Sequence, residues 1–359
     1  EKLHESLGAS FVLILAVAAV LNLAVFLLID PIMYLLQVPE EIYAMMREYL
    51  WVIFWGILAT FLYNYFACLL RAVGNSVAPL IFLAVSSVMN IVLDLWFVLG
   101  FHWGVAGAAF ATVLSQYVSG IGLAVYTYWK TPEFRIQPRY LKPKPAMLKE
   151  IGQFSFLTSV QQSVMNLGIL MVQGLVNSFG TVIMAAFAAA VKIDSFAYMP
   201  AQEFGNAFST FVAQNYGAGK SGRIREGIKK AVLMSVGFCL VISLLVFIFA
   251  RPLMTIFVDP SETEILAAGV EYLRIEGAFY CGIGCLFLLY GLYRAIKRPG
   301  MSVVLTIFSL GTRVVLAYAL SAIDFIGVTG IWWSVPIGWA LADLVGFLYY
   351  KKNKKKLFN

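Results

Sequence analysis

Charge is scarce in this sequence. Asp, Glu, Lys and Arg supply 13% of its 359 residues, about half the share of a soluble domain. So little charge cannot cover the water-facing surface of a chain this long, which argues against a soluble globule. Histidine is scarcer still, with only His4 and His102. Neither has a partner in a recognisable motif, and both are expected at the surface. The four cysteines (Cys68, Cys239, Cys281 and Cys285) all stand inside apolar runs without a CxxC. That spacing excludes a zinc motif and leaves packing as their role. No HExxH or GxSxG occurs. GAGKSGR at 217–223 lacks the spacing of a phosphate-binding loop and no strand precedes it. No enzyme and no cofactor are expected.

Hydrophobicity is what the chain has, at 61% of residues. A spanning helix needs roughly 20 mostly apolar residues. Ten stretches qualify: 6–29, 48–71, 77–99, 105–129, 151–178, 183–213, 227–250, 269–294, 301–321 and 327–350. Trp51, Trp103, Tyr128, Trp129, Tyr349 and Tyr350 mark their ends, as interfacial residues do. The fold class is therefore an all-α polytopic membrane protein.

The net charge of +7 does not point to nucleic acid, because Lys and Arg sit in short loops and in the tail KKNKKK. One set of loops holds Arg71, the stretch 130–150, GKSGRIREGIKK and RAIKR. The alternate set holds Asp30, Glu40, Glu41, Asp259, Glu262, Glu264 and Asp324. The basic set faces the cytoplasm, which places both ends of this chain there, in the cytoplasmic (inner) membrane. Within 131–150 lie prolines at 132, 138, 143 and 145, too dense for a continuous helix. That stretch reads as a linker between an N-lobe at 1–130 and a C-lobe with its basic tail at 151–359.

The halves resemble each other. At a shift of 221, Glu5 matches Glu226, Pro31 matches Pro252 and Pro39 matches Pro260. At a shift of 223, Glu48-Tyr49-Leu50 matches Glu271-Tyr272-Leu273, Arg71-Ala72 matches Arg294-Ala295, and Gly104-Val105 matches Gly327-Val328. Four helices repeat in order and in the same orientation, a parallel repeat. The counterparts of 151–178 and 183–213 would precede residue 1. Two further helices, roughly 70–80 residues, are therefore expected before this chain, giving twelve in two pseudo-symmetric lobes and leaving the N-lobe truncated.

Charges inside apolar helices are costly and mark sites by default. Here they are Asp94, Lys192, Asp194, Glu203, Glu276, Arg313 and Asp343. Asn90 and Asp94 are one turn apart on one face. Such a pair suits a proton or hard-cation site, or an interhelical hydrogen bond. Arg313 occupies the repeat position of Asn90 and is expected to face Asp194 or Glu276 as an ion pair. Lys192 and Asp194, two apart, face different ways. Gln161, Gln162 and Asn166 share a face of 151–178 and would either line a wet cavity or join helices. Together with Lys192, Asp194, Glu203, Glu276 and Arg313 they form a candidate substrate cavity.

QNYGAGK at 214–220, the RAVGN and RAIKRPG turns, and the helix starts GVAGAA and GVTGIW resemble the multidrug and toxic compound extrusion (MATE) family. The resemblance covers the chain from the family's third helix onward. It implies export of small, often cationic organic compounds against a proton or sodium gradient, by two lobes rocking about a central cavity. The DinF-like branch is the most similar. Its N-lobe site implies a coupling set of Asp94, Asn90, Tyr49 and Thr112, with a sodium ion or proton at Asp94 and a further Asp on a helix before residue 1. The NorM-like branch places carboxylates on its seventh and tenth helices. QQSVMNLG and FYCGIGC carry none at the positions taken as matching. A lipid or lipid-linked oligosaccharide flippase of the same superfamily is the alternative, disfavoured by the small number of basic residues. The partners expected are a small molecule, the coupling ion and membrane lipid, with the protein a monomer.

Overall fold

The computed structural model describes residues 2–35 and 38–357. It divides into two compact units, Glu1–Gln153 and Phe154–Asn359. Helices account for nearly all regular structure, and no strand occurs among the described residues. Apolar segments without access to water must satisfy their backbone internally, and a helix does so within a single segment.

The first unit contains α1 (Lys2–Leu27), the short α2 (Ile29–Leu35), α3 (Glu40–Ile53), α4 (Gly56–Ala72), α5 (Val77–Leu95) and α6 (Gly104–Lys130). Asp30 on α2 is tied to α3 by Arg47 Nε at 2.7 Å and by the Tyr43 hydroxyl at 3.0 Å. Those donors, Arg47 foremost, hold the exposed Asp30 carboxyl below its ordinary range. α3 and α4 are two pieces of one span interrupted at Phe54 and Trp55. Both carbonyls at the interruption find side-chain donors. Asn22 Nδ2 on α1 donates to Phe54 O at 2.7 Å, and Tyr117 on α6 donates its hydroxyl to Trp55 O at 3.0 Å. Replacing Asn22 by Leu strands the Phe54 carbonyl and should cost about 1–3 kcal/mol. The drop will show as a lower unfolding midpoint in detergent, whereas Asn64→Leu on an exposed face should leave the midpoint in place.

The boundary between the units falls within α7 (Pro145–Asn177), whose residues from Phe154 onward belong to the second unit. That unit also contains α8 (Thr181–Gly217), α9 (Ser221–Met254), α10 (Thr263–Gly277), α11 (Tyr280–Ala295), α12 (Pro299–Ser321) and α13 (Val328–Leu357). The sequence repeat reappears in the backbone. Moved by 223 positions, the limits of α3 and α4 fall within a residue of those of α10 and α11. Gly74 (φ 84°) matches Lys297 (φ 60°), and Gly104 (φ 57°) matches Gly327 (φ 53°). Each left-handed residue after α4 and α11 closes the helix end with the same backbone bond, Asn75 N to Leu70 O at 2.9 Å and Arg298 N to Tyr293 O at 2.8 Å. Glycine adopts that conformation freely, while Lys297 adopts it against its side chain.

Among the described residues, eight helical segments are long and apolar enough to cross a membrane. A ninth counts if α10 and α11, bent by 51° at their junction, are one broken span. Of the ten stretches expected from sequence, 151–178 is not among these segments. That stretch is helical, but Gln161, Gln162, Asn166, Gln173 and Asn177 dilute its apolar character. The surface agrees with lipid as the solvent. Leu80, Ile81, Leu83, Val85, Val88, Ile91, Val92 and Leu95 line α5 exposed, a larger apolar face than a soluble monomer tolerates.

The linker is also more ordered than its prolines suggest. It makes 3-10 turns at Pro132–Phe134 and Pro138–Tyr140, and α7 begins at Pro145, six residues earlier than expected. Proline suits the first turn of a helix, where its missing N–H is not needed. Tyr140 stacks on His4 with ring centroids 5.7 Å apart, and Lys144 Nζ meets Glu5 Oε1 at 2.7 Å. His4 is thus half-buried against the linker, contrary to the surface position expected for it, while His102 is exposed.

In the second unit the core centres on Trp332, Tyr272, Tyr280 and Tyr293, each at most 2% exposed. Trp332 stacks on Phe187 at 5.6 Å and meets Tyr272 edge-on at 4.9 Å. Small residues let the helices approach closely. A Cβ on Gly205 of α8 would stand 2.9 Å from Phe287 O on α11, and one on Gly338 of α13 would stand 2.5 Å from Ser309 O on α12.

Candidate functional site

Asp194, Glu276 and Arg313 come together in one cavity of about 290 Å³ inside the second unit. α8 supplies Asp194 and Tyr198, α10 supplies Tyr272 and Glu276, α11 supplies Tyr280 and Phe287, and α12 supplies Arg313. Asp194 accepts hydrogen bonds from the Tyr272 hydroxyl at 2.6 Å and from the Tyr280 hydroxyl. Asp194 and Glu276 are 7% and 6% exposed, so both carboxyls are largely removed from solvent.

Glu276 Oε2 and Arg313 Nε are buried without a hydrogen-bond partner. The expected ion pair is therefore corrected. Arg313 shares the cavity with both acids, yet no N–O approach within 4 Å joins it to either among the described residues. Two carboxyls and one guanidinium, all ionised, carry one net negative charge. Uptake of one proton or one monovalent cation neutralises them, and such compensation is what a buried cluster requires.

The local reason for this assembly is a spacing of four. Tyr272, Glu276 and Tyr280 recur one turn apart, and the 51° bend at Ala278 and Phe279 lies between Glu276 and Tyr280. The pattern was legible in EYLRIEGAFY; the two tyrosines were the part missed. Tyr272 and Arg313 also occupy the repeat positions of Tyr49 and Asn90.

The other predicted residues scatter. Lys192 turns away from Asp194, as residues two apart on a helix must, and its Nζ lies 5.6 Å from the Phe257 ring centre. Glu203 is exposed and accepts from Asn206 Nδ2 at 3.4 Å. Gln161 and Gln162 line a second, polar cavity of about 270 Å³ with Thr158, Gln202, Asn206 and Arg294. Asn166 lies outside that lining and accepts from Gln162 Nε2 at 3.5 Å. Met165, Phe287 and Tyr290 border both cavities.

In the first unit, Asn90 Nδ2 donates to Thr112 Oγ1 at 3.3 Å, and that hydroxyl donates to Ala108 O at 3.1 Å. Asp94, one turn along α5, has Oδ1 buried without a partner. Tyr49 is half-buried and makes no hydrogen bond to the other three. Two of the four residues are thus brought into contact.

The family model described as MatE matches residues 1–96 and 155–319. The probable multidrug resistance protein YpnP of Bacillus subtilis (strain 168) is 31% identical over 354 residues, covering 98% of this chain and 78% of that protein. The probable multidrug resistance protein NorM of Thermotoga maritima is 28% identical over 324 residues, covering 89% of this chain and 67% of that protein. Among solved structures, the Vibrio cholerae MATE transporter VcmN in the bent form superposes with a TM-score of 0.89 at 23% identity. That match covers 99% of this chain and 83% of the other.

Proposed function

The chain belongs to the MatE family, and from that premise we propose that it exports small organic, often cationic, compounds by antiport with protons or sodium. The observation that carries the coupling is the buried group of Asp194, Glu276 and Arg313 with its two tyrosines. Its net negative charge suits a single positive countercharge. In the cycle proposed, an ion enters from the outer side and neutralises the group, and the second unit repacks at the bend beside Glu276. Drug affinity then falls and the drug leaves outward. This reading is a population shift driven by differential ion binding.

Asp94 serves as a second coupling group, supported by its unpartnered Oδ1 and by the Asn90–Thr112 contact one turn away. Those residues, with Tyr49, also favour the DinF-like branch of the family. In the proposed topology α7 crosses the membrane with its amides along a polar cavity, both ends of this chain lie in the cytoplasm, and a monomer is the working unit. The lobes are 1–130 and 151–359, joined by 131–150.

The test is efflux of a cationic dye from proteoliposomes under separately imposed proton and sodium gradients. One gradient should drive efflux in the wild type. Asp94→Asn should slow it several-fold while leaving it gradient-dependent. Dye that moves under neither gradient would sink the antiporter and favour a flippase.

A further inference from the structure

Between α8, α9, α11 and α13 the second unit encloses another cavity, of about 340 Å³. It shares no lining residue with the Asp194 cavity. Phe208, Ile228, Val232, Leu288, Leu292 and Phe347 make most of its wall. One acidic side chain, Asp343, stands among them, and its Oδ1 is buried without a hydrogen-bond partner. The other oxygen lies near Gly282, where a Cβ would stand 3.9 Å from Asp343 Oδ2. None of the lining residues is Lys, Arg or His.

This arrangement inverts the Asp194 cavity. There, phenols bond the acid and a guanidinium shares the space. Here, Tyr350 and Cys285 share the wall, yet Asp343 Oδ1 has no hydrogen-bond partner, and when ionised such a group requires a countercharge. A mostly apolar wall with a few placed polar groups, here Asp343 with Tyr350 and Cys285, has the composition of a small-molecule site, and about 340 Å³ is the small end of the size range for one.

We propose that this cavity binds a compact lipophilic organic cation, its quaternary or protonated nitrogen against Asp343 and its apolar body against Phe208, Leu288 and Phe347. Val232 and Phe347, 38% and 58% exposed, stand where the wall reaches the lipid-facing surface. They provide entry from the bilayer, in which such cations concentrate. The site is separate from the coupling group, so it stands or falls independently of the antiport reading.

The experiment uses the reconstituted chain and a photoreactive probe, an azidobenzyl-trimethylammonium, beside its uncharged carbon isostere. Labelled peptides are mapped by mass spectrometry. The cation should label Val232, Leu289 or Phe347, assigned to the residue from the fragment spectra. Asp343→Asn should lower that labelling at least about tenfold, as expected for removing one partner of a buried charge pair, without changing labelling by the isostere. Val232→Trp fills the mouth without altering charge and should lower labelling by both probes. Three results would overturn the site: cation labelling unchanged in Asp343→Asn, equal labelling by both probes in wild type, or labels confined to residues of the Asp194 cavity. If Asp343→Asn does not fold, the comparison of the two probes in wild type and the Val232→Trp result decide.

Discussion

Proteoliposomes carrying Asp194→Asn are expected to lose gradient-driven efflux, by roughly 5- to 150-fold, the usual range of a coupling free energy between sites. The direction follows from charge. The amide removes one negative charge, so Glu276 and Arg313 balance without an imported ion. The variant then resembles the ion-loaded state whatever the gradient. Asparagine also supplies one carbonyl oxygen where the carboxyl took hydroxyls from both Tyr272 and Tyr280. One phenol is left underused, and the stability loss should be about 1–3 kcal/mol. Dye binding measured alongside transport separates the two effects. Binding that persists while gradient dependence vanishes supports coupling at this group. Gradient dependence that survives at equal protein incorporation places coupling elsewhere, with Asp94 next in line. Tyr280→Phe keeps the charge and should reduce the rate without removing its dependence on the gradient.

Gly291→Val should damage the second unit more than any surface change. A Cβ at Gly291 would stand 2.5 Å from Gly205 O and 3.3 Å from Ser209 Cβ, both on α8. The first obstacle is backbone and cannot swing aside. α8 and α11 must therefore separate, and overpacking of this kind costs about 1–3 kcal/mol or more. Separation also draws Tyr280 on α11 away from Asp194 on α8, so transport should fail together with thermal stability. Gly237→Ala on the exposed face of α9, where a Cβ would meet nothing within 4 Å, is the control. It should stay within about 1 kcal/mol of wild type. A Gly291→Val protein that unfolds at the wild-type temperature in detergent would show that the crossing is looser than its geometry implies.

Much of the fold was legible from elementary patterns. Apolar run length located most of the helices, and the repeat survived in Arg71/Arg294 and Gly104/Gly327. What was not legible depended on neighbours. The interruption at Phe54 and Trp55 has no proline to announce it; it is held by Asn22 and Tyr117 from helices distant in sequence. Asp194 reads as one acid among several until α8 packs beside α10 and α11 and the two tyrosines reach it. Local spacing could show that Tyr272, Glu276 and Tyr280 recur together. It could not show which helix would supply their partner. Tyr140 on His4 was hidden for a related reason, since the prolines suggested a chain free of the helices it in fact packs against.

The bend between α10 and α11 has a mechanical consequence. Glu276 ends one arm and Tyr280 begins the other, so the chemistry sits at the elbow of a lever. α10 has 15 residues, an arm of about 22 Å at 1.5 Å per residue. Turning that arm by about 10° carries its far tip through roughly 4 Å. Shifts of a few tenths of an ångström around a neutralised carboxyl, too small to open a passage themselves, become displacements on the scale of a side chain at the opposite end of the rod.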